Sequence, residues 1–307
     1  MDIWKKAVIR LLRQNRIAVF GASGYLGTNF IKQFHGKSEI VAIYRTKDES
    51  FGKYDDVQYK VLDDNCSIDE CIDGVDAIFN FAWKKVPKRE ESLDIYFDSL
   101  VFSERIIKAA LDKKVLNVVQ VSSRCVYGSN NVLPYDEEQK RFPINLYGVS
   151  KCTLEEMSEF YNRKYGMKIK TVRLSQVYGG EKYDFGVIYT YLQNVKREQP
   201  LMVYGNEIRD YIYIKDVCNA IYLLGLNLKL KGIYNLGQGI SVSCEKIANI
   251  INNSLKEKSV VIIKKEGSIN QIDVRMNISK IKNELGYEME YSIEAGLREM
   301  LEEMGME

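Results

Sequence analysis

The chain has 307 residues, of which 46% are apolar and 28% are charged, and four are prolines. This composition is typical of a globular protein with a large core and without long disordered segments. The 44 basic and 42 acidic residues leave a net charge of +2, which argues against a nucleic-acid-binding surface. The six cysteines form no CxxC pair and there is one histidine, so we expect no metal site and a reducing, cytoplasmic compartment.

Residues 1–15 precede the first predicted strand. Their apolar residues recur at helical spacing, which predicts a short amphipathic helix ahead of the fold. Charged residues interrupt the segment, so it lacks the continuous apolar region of a secretory signal. The apolar runs of the chain are too short for a membrane-spanning helix, and we expect no membrane contact.

The predicted fold begins with a strand that leads into a glycine-rich turn. Residues 17–20 form a continuous apolar run, which is typical of a buried parallel strand. A GxxGxxG turn follows, and then a helical pattern. Glycines let the backbone approach a phosphate, and the first turn of a helix offers free N–H groups. Although a plain strand–helix connection is the alternative, the position at the first strand predicts a dinucleotide site, formed by Gly21, Ser23, Gly24, Tyr25, Leu26 and Gly27.

The next strands carry the residues that we expect around the rest of the cofactor. A second strand at 40–44 ends in Tyr44 and Arg45, where NAD-binding folds usually place a carboxylate for the ribose 2′-hydroxyl. A guanidinium there suits a 2′-phosphate, so NADP is favoured and NAD is the alternative; a solvated arginine would carry no such preference. We expect Asp63, after the third strand, to meet the adenine. The fourth strand ends beside the cofactor in Asn80, Phe81 and Ala82.

Strands and helices alternate six times along the first half of the chain. This alternation predicts an α/β fold with a doubly wound parallel (Rossmann) sheet and a smaller C-terminal α/β substrate lobe. We place the dinucleotide-binding domain at 16–177 with a returning segment at about 210–240, and the substrate lobe mainly at 178–307. Because no linker rich in proline or glycine separates them, the site is expected in the cleft between the two.

Tyr147, Lys151 and Ser123 form the predicted catalytic group. Tyr147 and Lys151 are four residues apart in a helical pattern, which places both side chains on one face. A tyrosine hydroxyl titrates near pH ~10, and a nearby ammonium group favours the phenolate and lowers that pKa. Ser123 ends the fifth strand, at the sheet edge where ligands bind. A chance pairing on an ordinary helix is the alternative, which the glycine-rich turn upstream disfavours.

A series of longer motifs follows the same order along the chain. They are the GxxGxxG turn, Val121-Ser122-Ser123 with Val126-Tyr127-Gly128, Tyr147xxxLys151, Arg173-Leu174-Ser175-Gln176-Val177-Tyr178-Gly179, Arg209-Asp210-Tyr211-Ile212-Tyr213 and Tyr234-Asn235-Leu236-Gly237-Gln238-Gly239. With these motifs, nearly the whole chain from Arg16 resembles the extended short-chain dehydrogenase/reductase superfamily, in the branch of NAD-dependent epimerases and dehydratases that modify nucleotide sugars.

The resemblance implies a role for each matching residue. Tyr147 would be the general acid/base, Lys151 would hold the nicotinamide ribose, and Ser123 would bind the reacting oxygen. Arg209 and Arg275 would bind the nucleotide diphosphate, since guanidinium groups form directional, charge-assisted bonds with phosphate oxygens. Surface salt bridges are the alternative for these two arginines.

Departures from the family pattern narrow the chemistry. Sugar dehydratases of this branch have Asp-Glu where this chain has Arg124 and Cys125, which argues against 4,6-dehydration. Cys125 resembles a cysteine of GDP-fucose synthase that works with a histidine, but Val187 stands near the histidine's place. Gln176 replaces a common asparagine. We therefore expect Cys125, Gln176 and Val187 to contact the substrate rather than to transfer protons.

The implied function is oxidation or reduction at C4 of a nucleotide-activated sugar. Because Arg45 favours NADP, the preferred form is a reductase of 4-keto sugars, in which Tyr147 donates the proton. The resemblance equally permits a 4-epimerase or 4-dehydrogenase with tightly bound NAD. A non-catalytic dinucleotide-sensing scaffold is a further alternative, and the presence of both Tyr147 and Lys151 disfavours it. The family also implies a homodimer formed through the helices at about 92–113 and 147–165.

Overall fold

The structure, a computed structural model, describes residues 15–63, 66–84, 92–128, 131–204, 207–255, 260–265 and 273–306. The helix predicted ahead of the fold lies outside the described residues. Among the helices that are described, none is both long and apolar enough to cross a membrane.

A seven-stranded parallel sheet forms the centre of the chain, with the strand order β10-β6-β5-β4-β1-β2-β3. Its strands are β1 (Arg16–Phe20), β2 (Glu39–Tyr44), β3 (Val57–Val61), β4 (Ala77–Asn80), β5 (Asn117–Ser123), β6 (Lys168–Leu174) and β10 (Gly232–Leu236). The order reverses beside β1, which creates the crevice where open parallel sheets bind ligands. The predicted Rossmann sheet is confirmed.

Helices cover both faces of this sheet. They are α1 (Tyr25–Phe34), α2 (Ile68–Cys71), α3 (Leu93–Asp112), α4 (Leu146–Tyr165) and α6 (Ile214–Leu226). Alternate residues of β1 supply the two layers of the core, as the period of a strand requires. Ile17 and Val19 pack with α1 and α6, whereas Ala18 and Phe20 pack with α2 and α3.

The remaining elements form a smaller lobe beyond β6. Its strands are β7 (Gln176–Tyr178), β8 (Leu201–Tyr204), β9 (Ile208–Tyr213), β11 (Ser241–Ser243) and β12 (Ile262–Lys265), and its helices are α5 (Gly186–Lys196), α7 (Cys244–Asn253), α8 (Ser279–Leu285) and α9 (Ile293–Glu303). They pair as a three-stranded sheet, β11-β9-β7, and a two-stranded sheet, β12-β8. Strands of three to six residues such as β7, β9, β11 and β12 are too short for their hydrophobic period to identify them in the sequence.

Candidate active site

The end of β5 and the start of α4 bring Ser123 and Tyr147 together. Asn145 caps α4, since its side-chain oxygen accepts a hydrogen bond from Gly148 N at 2.8 Å. A Cβ atom on Gly148 would lie 2.6 Å from the Cys125 carbonyl oxygen. Glycine at this position therefore lets the first turn of the helix approach the end of the strand. The Ser123 hydroxyl is a hydrogen-bond partner of the Tyr147 phenol.

The pKa of Tyr147 shifts in the direction opposite to the one predicted from the sequence. Burial of the phenol raises the pKa well above its usual value, and the nearby Cys125 thiol raises it further. The hydrogen bond with Ser123 lowers the pKa, but less than burial raises it. At neutral pH the phenol is therefore protonated, so in this structure Tyr147 is a proton donor.

Lys151 lies on the same face of α4 but has neutral partners. Its ammonium nitrogen donates a hydrogen bond to the Val121 carbonyl oxygen at 2.8 Å and lies 3.3 Å from the centre of the Trp83 ring. The distance from that nitrogen to the centre of the Tyr147 ring is 5.6 Å. Burial holds the pKa of Lys151 well below its usual value. The predicted lowering of the Tyr147 pKa by this lysine is thus outweighed by the burial of both groups.

The glycine-rich turn forms a cradle without side chains at the start of α1. Gly21 has a φ of +73°, and a Cβ atom on it would lie 2.6 Å from Ala82 N. A Cβ atom on Gly27 would lie 2.2 Å from the Gly21 carbonyl oxygen, so this position also requires glycine. The N-cap residue Gly24 supplies no side-chain hydrogen bond to the first turn. The turn thus has the backbone geometry and the free N–H groups that a pyrophosphate needs.

A cavity of about 240 Å³ connects this cradle with the catalytic residues. Its lining includes Tyr25, Leu26, Asn80, Phe81, Ala82, Trp83, Gln120, Ser123, Tyr147, Lys151 and Gln176. Two buried donors in the lining, Trp83 Nε1 and Gln120 Nε2, have no hydrogen-bond partner among the described residues. Buried polar atoms are usually paired, so both donors are suited to hydrogen-bond a polar ligand in the cavity. The cradle and these donors fit a dinucleotide that lies with its pyrophosphate at the turn and its reactive ring near Tyr147.

The residues predicted for the adenosine end lie in different environments. Tyr44 is in the core, and its hydroxyl hydrogen-bonds with the Ser50 hydroxyl at 3.0 Å, so its ring packs rather than faces a ligand. Arg45 and Asp63 are both exposed at the carboxyl ends of β2 and β3. These two positions remain candidates for contact with the ribose and the adenine.

Lys182 lies beside the glycine-rich turn and was not predicted from the sequence. Its ammonium group donates hydrogen bonds to the Ser23 carbonyl oxygen at 2.8 Å and to Asp48 Oδ2 at 2.7 Å. It therefore places a positive charge beside the glycine-rich turn and connects the turn with the loop after β2. No spacing in the sequence predicts this contact, since Lys182 and Ser23 belong to different lobes.

The two arginines predicted to bind the diphosphate lie on neighbouring segments of the smaller lobe. Ile208 pairs with Asp273 in a parallel bridge, which places the segment that carries Arg209 next to the segment that carries Arg275. Arg275 is exposed, whereas Arg209 donates from Nη2 to Glu207 Oε2 at 2.8 Å. The salt bridge that was the alternative for Arg209 is therefore formed in this structure.

Of the three predicted substrate contacts, Gln176 is the one that lines this cavity. Cys125 follows β5, and its backbone N–H donates to Ser123 Oγ at 3.2 Å. Gln176 lines the cavity from β7, and Val187 lies in the first turn of α5. Trp83 was missed here, although a tryptophan directly after Ala82, at the carboxyl end of β4, was a usable signal.

Comparison with known proteins identifies the family. The profile of the NAD dependent epimerase/dehydratase family matches residues 17–237, which is most of the chain. The chain therefore belongs to this family of enzymes, and the resemblance inferred from the motifs is confirmed.

Individual relatives differ in the reaction that their names describe. A putative UDP-glucose 4-epimerase of Methanocaldococcus jannaschii is 33% identical over 187 residues, which are 59% of this chain and 60% of that protein. The dTDP-4-dehydro-6-deoxyglucose reductase of Escherichia coli is 28% identical over 188 residues, which are 59% of this chain and 58% of that protein. The fold matches UDP-glucose 4-epimerase from Brucella ovis, in complex with NAD, with a TM-score of 0.84 and 24% identity, covering 95% of this chain and 99% of that one.

Proposed function

We propose that the chain is an NAD-dependent 4-epimerase of a nucleotide sugar. The observation that carries this proposal is the meeting of Ser123, Tyr147 and Lys151 at one cavity with the glycine-rich cradle. The named relatives support epimerisation at C4 more often than reduction. This shifts the preference from the 4-keto-sugar reductase, which the sequence favoured, to the alternative that it left open.

Each of the three residues at the cavity has its own role in the proposed reaction. Ser123 hydrogen-bonds the oxygen on C4 of the sugar and holds it against Tyr147. Tyr147 takes the hydroxyl proton when C4 is oxidised and returns a proton when the ketone is reduced. When bound, the dinucleotide would supply hydride transfer at C4, and the positive charge of its oxidised ring would favour the Tyr147 phenolate. Lys151, on the same face of α4 as Tyr147, would orient the ribose.

Elimination of water from the sugar has no support in the chain. That reaction needs an acid next to the hydroxyl residue, and Arg124 and Cys125 occupy the two positions. A guanidinium group does not donate protons at neutral pH, because its pKa is above 12 in proteins as a rule. The site is therefore suited to chemistry at C4 without dehydration.

A 4-keto-sugar reductase is the second candidate. Its support is the similarity to the E. coli reductase and the exposed Arg45, which suits a 2′-phosphate of NADP. The two functions differ in the fate of the dinucleotide. An epimerase converts a UDP-hexose into its C4 epimer without net consumption of NAD, whereas a reductase oxidises one NADPH for each sugar that it reduces.

The first experiment uses Tyr147→Phe, with Tyr165→Phe as a control at an exposed tyrosine of the same helix. The purified variants are incubated with UDP-glucose and NAD, and both sugar epimers are quantified by chromatography. We expect kcat to fall by ~10² to 10⁴-fold in Tyr147→Phe, which is the usual contribution of general acid/base catalysis, and to stay unchanged in the control. Wild-type turnover by Tyr147→Phe would reject the mechanism, and NADPH-dependent consumption of a 4-keto sugar in place of epimerisation would favour the reductase.

We also propose that the enzyme is a homodimer formed through α3 and α4. These helices pack together, and α3 exposes 52% of Leu93 and 63% of Phe97, while α4 exposes 43% of Phe160. Exposed apolar residues on two adjacent helices are typical of a protein–protein interface. Phe97→Glu is expected to shift the mass measured by light scattering from dimer to monomer, whereas Leu228→Glu, at an exposed apolar residue outside these helices, leaves it unchanged. The expected cytoplasmic location stays a prediction.

A further inference from the structure

Two cysteines are in contact at one edge of the central sheet, outside the catalytic cavity. Cys66 Sγ and Cys71 Sγ are 3.4 Å apart. Cys71 is the last residue of α2, which begins after the capping residue Ser67. A reciprocal capping box between Ser67 and Glu70 fixes the start of this helix, so the chain between the two cysteines is well ordered.

The two thiols differ in access to solvent. Cys66 is partly exposed, whereas only 1% of Cys71 is exposed. Burial raises the pKa of Cys71 to about 12, so its sulfur is protonated and shielded in the reduced protein. A small oxidant therefore meets Cys66 first, because reactivity of a thiol follows its exposure and its thiolate fraction.

This pair lies next to the predicted adenine site. Cys66 forms an antiparallel bridge with Asp63, and Cys66 N donates to the Asp63 carbonyl oxygen at 3.3 Å. Asp63 follows β3 at the carboxyl edge of the sheet, where the family's dinucleotide binds. A covalent change at Cys66 is thus transmitted to Asp63 through a direct backbone contact.

We propose that Cys66 and Cys71 form a reversible disulfide, a modification site through which peroxide weakens dinucleotide binding. In the first step the Cys66 sulfur attacks hydrogen peroxide, the O–O bond breaks, and Cys66 sulfenic acid and one water form. In the second step the Cys71 sulfur attacks the Cys66 sulfur, the S–S bond forms, and the hydroxyl group leaves with the Cys71 proton as a second water. The two thiols lose two electrons and two hydrogens in total, and one peroxide is reduced to two waters.

The geometry also gives the direction of the effect. A disulfide needs its sulfurs about 2.05 Å apart, which is more than ~1 Å closer than the contact distance in the reduced protein. Cys71 is fixed, because α2 and the residue after it pack into the core through Ile68 and Ile72. Cys66 is therefore the side that moves, and it displaces the paired backbone of Asp63 from the position that it has in the reduced protein.

The chemical step is tested on the full-length protein by intact mass after stoichiometric peroxide. Wild type is expected to lose about 2 Da, which dithiothreitol reverses, and digestion should yield one peptide pair joined through Cys66 and Cys71. Cys66→Ser and Cys71→Ser should not show this loss, whereas Cys152→Ser, a matched control at another partly exposed cysteine, should show it as wild type does. The proposal is wrong if Cys66→Ser still loses two hydrogens or if wild type gains oxygen without forming the linked peptides.

The effect on binding is tested by titrating NAD into the reduced and oxidised protein and following intrinsic fluorescence. Oxidation is expected to raise the Kd for NAD about tenfold in wild type, a change of about 1.4 kcal/mol, and to leave the Kd of Cys66→Ser unchanged. Equal Kd values for both forms of wild type would overturn the effect on binding. Because these measurements need no sugar, their outcome does not depend on the proposed epimerase reaction.

Discussion

Two neighbouring turns of α4 carry buried ionisable side chains whose direct contacts differ. Glu155 is 0% exposed, and its carboxylate accepts hydrogen bonds from Arg173 Nε and Nη2 at 2.9 and 2.8 Å and from Arg141 Nε at 2.6 Å. Lys151, one turn earlier and 2% exposed, has a carbonyl oxygen and an indole ring as its partners. One charge is thus compensated by two opposite charges, and the other by neutral groups.

The difference separates a structural use of charge from a chemical one. Burial lowers the pKa of the Arg173 guanidinium, but the Glu155 carboxylate that accepts its hydrogen bonds raises that pKa by more, so Arg173 stays charged. Burial lowers the pKa of Lys151 by more than the Glu155 carboxylate, one turn later, raises it. The pKa of a buried group in direct contact with an opposite charge changes little when another charge enters the cavity. The pKa of a buried group with neutral contacts changes more. The same helix therefore stabilises the fold through Glu155 and, one turn earlier, carries Lys151, which we propose contacts the cofactor.

The largest expected effect comes from removing one side of the compensated pair. Arg173→Met leaves Glu155 buried with fewer partners, and we expect the free energy of unfolding to fall by about 3–5 kcal/mol. The change is measured as a shift in the midpoint of urea unfolding with an unchanged slope. All samples need one fixed NAD concentration, since a ligand of the folded state adds to its stability.

Lys151→Met is the matched variant at the uncompensated position. It removes a buried amine whose direct contacts are neutral groups, so stability is expected to stay equal or to rise. Its kcat should fall by ~10²-fold, because the ribose loses its positioning group. The comparison between the two turns fails if Lys151→Met destabilises the protein as much as Arg173→Met does.

Lys170 sharpens the comparison, because it is a buried lysine far from any proposed chemistry. It is 0% exposed on β6, and its ammonium group donates to Asn117 Oδ1 at 2.7 Å. Burial lowers its pKa to about 7, whereas an unfolded lysine titrates near ~10.4. Between these values the unfolded chain binds more protons than the folded chain, so the free energy of unfolding rises with pH.

The rise that we assign to Lys170 is about 2 kcal/mol between pH 7 and pH 9. Other groups titrate in this range, so the measured quantity is the difference in slope between wild type and Lys170→Met. Lys229→Met, at an exposed lysine outside this strand, serves as the control and should keep the wild-type slope. An unchanged slope in Lys170→Met would mean that the folded protein keeps this lysine charged.

The sequence predicted those parts of the fold whose pattern is local. The buried runs that became β1, β4 and β5, the glycine-rich turn and the spacing of Tyr147 and Lys151 are all readable within about twenty residues. The short strands β7, β9, β11 and β12 of the smaller lobe were not predicted, because their pairing joins segments far apart in the chain. The contact between Lys182 and Ser23 was missed for the same reason.

The electrostatics of the site were the part that residue types alone could not determine. A lysine four residues after a tyrosine predicts attraction between an ammonium and a phenolate. Whether burial or charge dominates depends on how deeply the fold encloses both groups, and the cavity beneath Trp83 encloses them enough for burial to dominate. The meeting of Ser123, Tyr147 and Lys151 at one cavity was therefore easier to predict than the protonation of these residues.

The smallest expected effect concerns the indole ring that lies against Lys151. Trp83→Phe keeps an aromatic face for the ammonium and should reduce kcat/KM by less than ~3-fold. Trp83→Leu removes the face and should reduce kcat/KM about tenfold, which corresponds to about 1.4 kcal/mol and lies between the values typical of exposed and of desolvated cation–π contacts. The loss should appear in the Kd for NAD, because we propose that Lys151 holds the ribose. If the two variants lose activity equally, the unpaired indole N–H rather than the ring face is what the site uses. Either result would identify the part of Trp83, its ring face or its N–H group, that the site uses beside Lys151 and Tyr147.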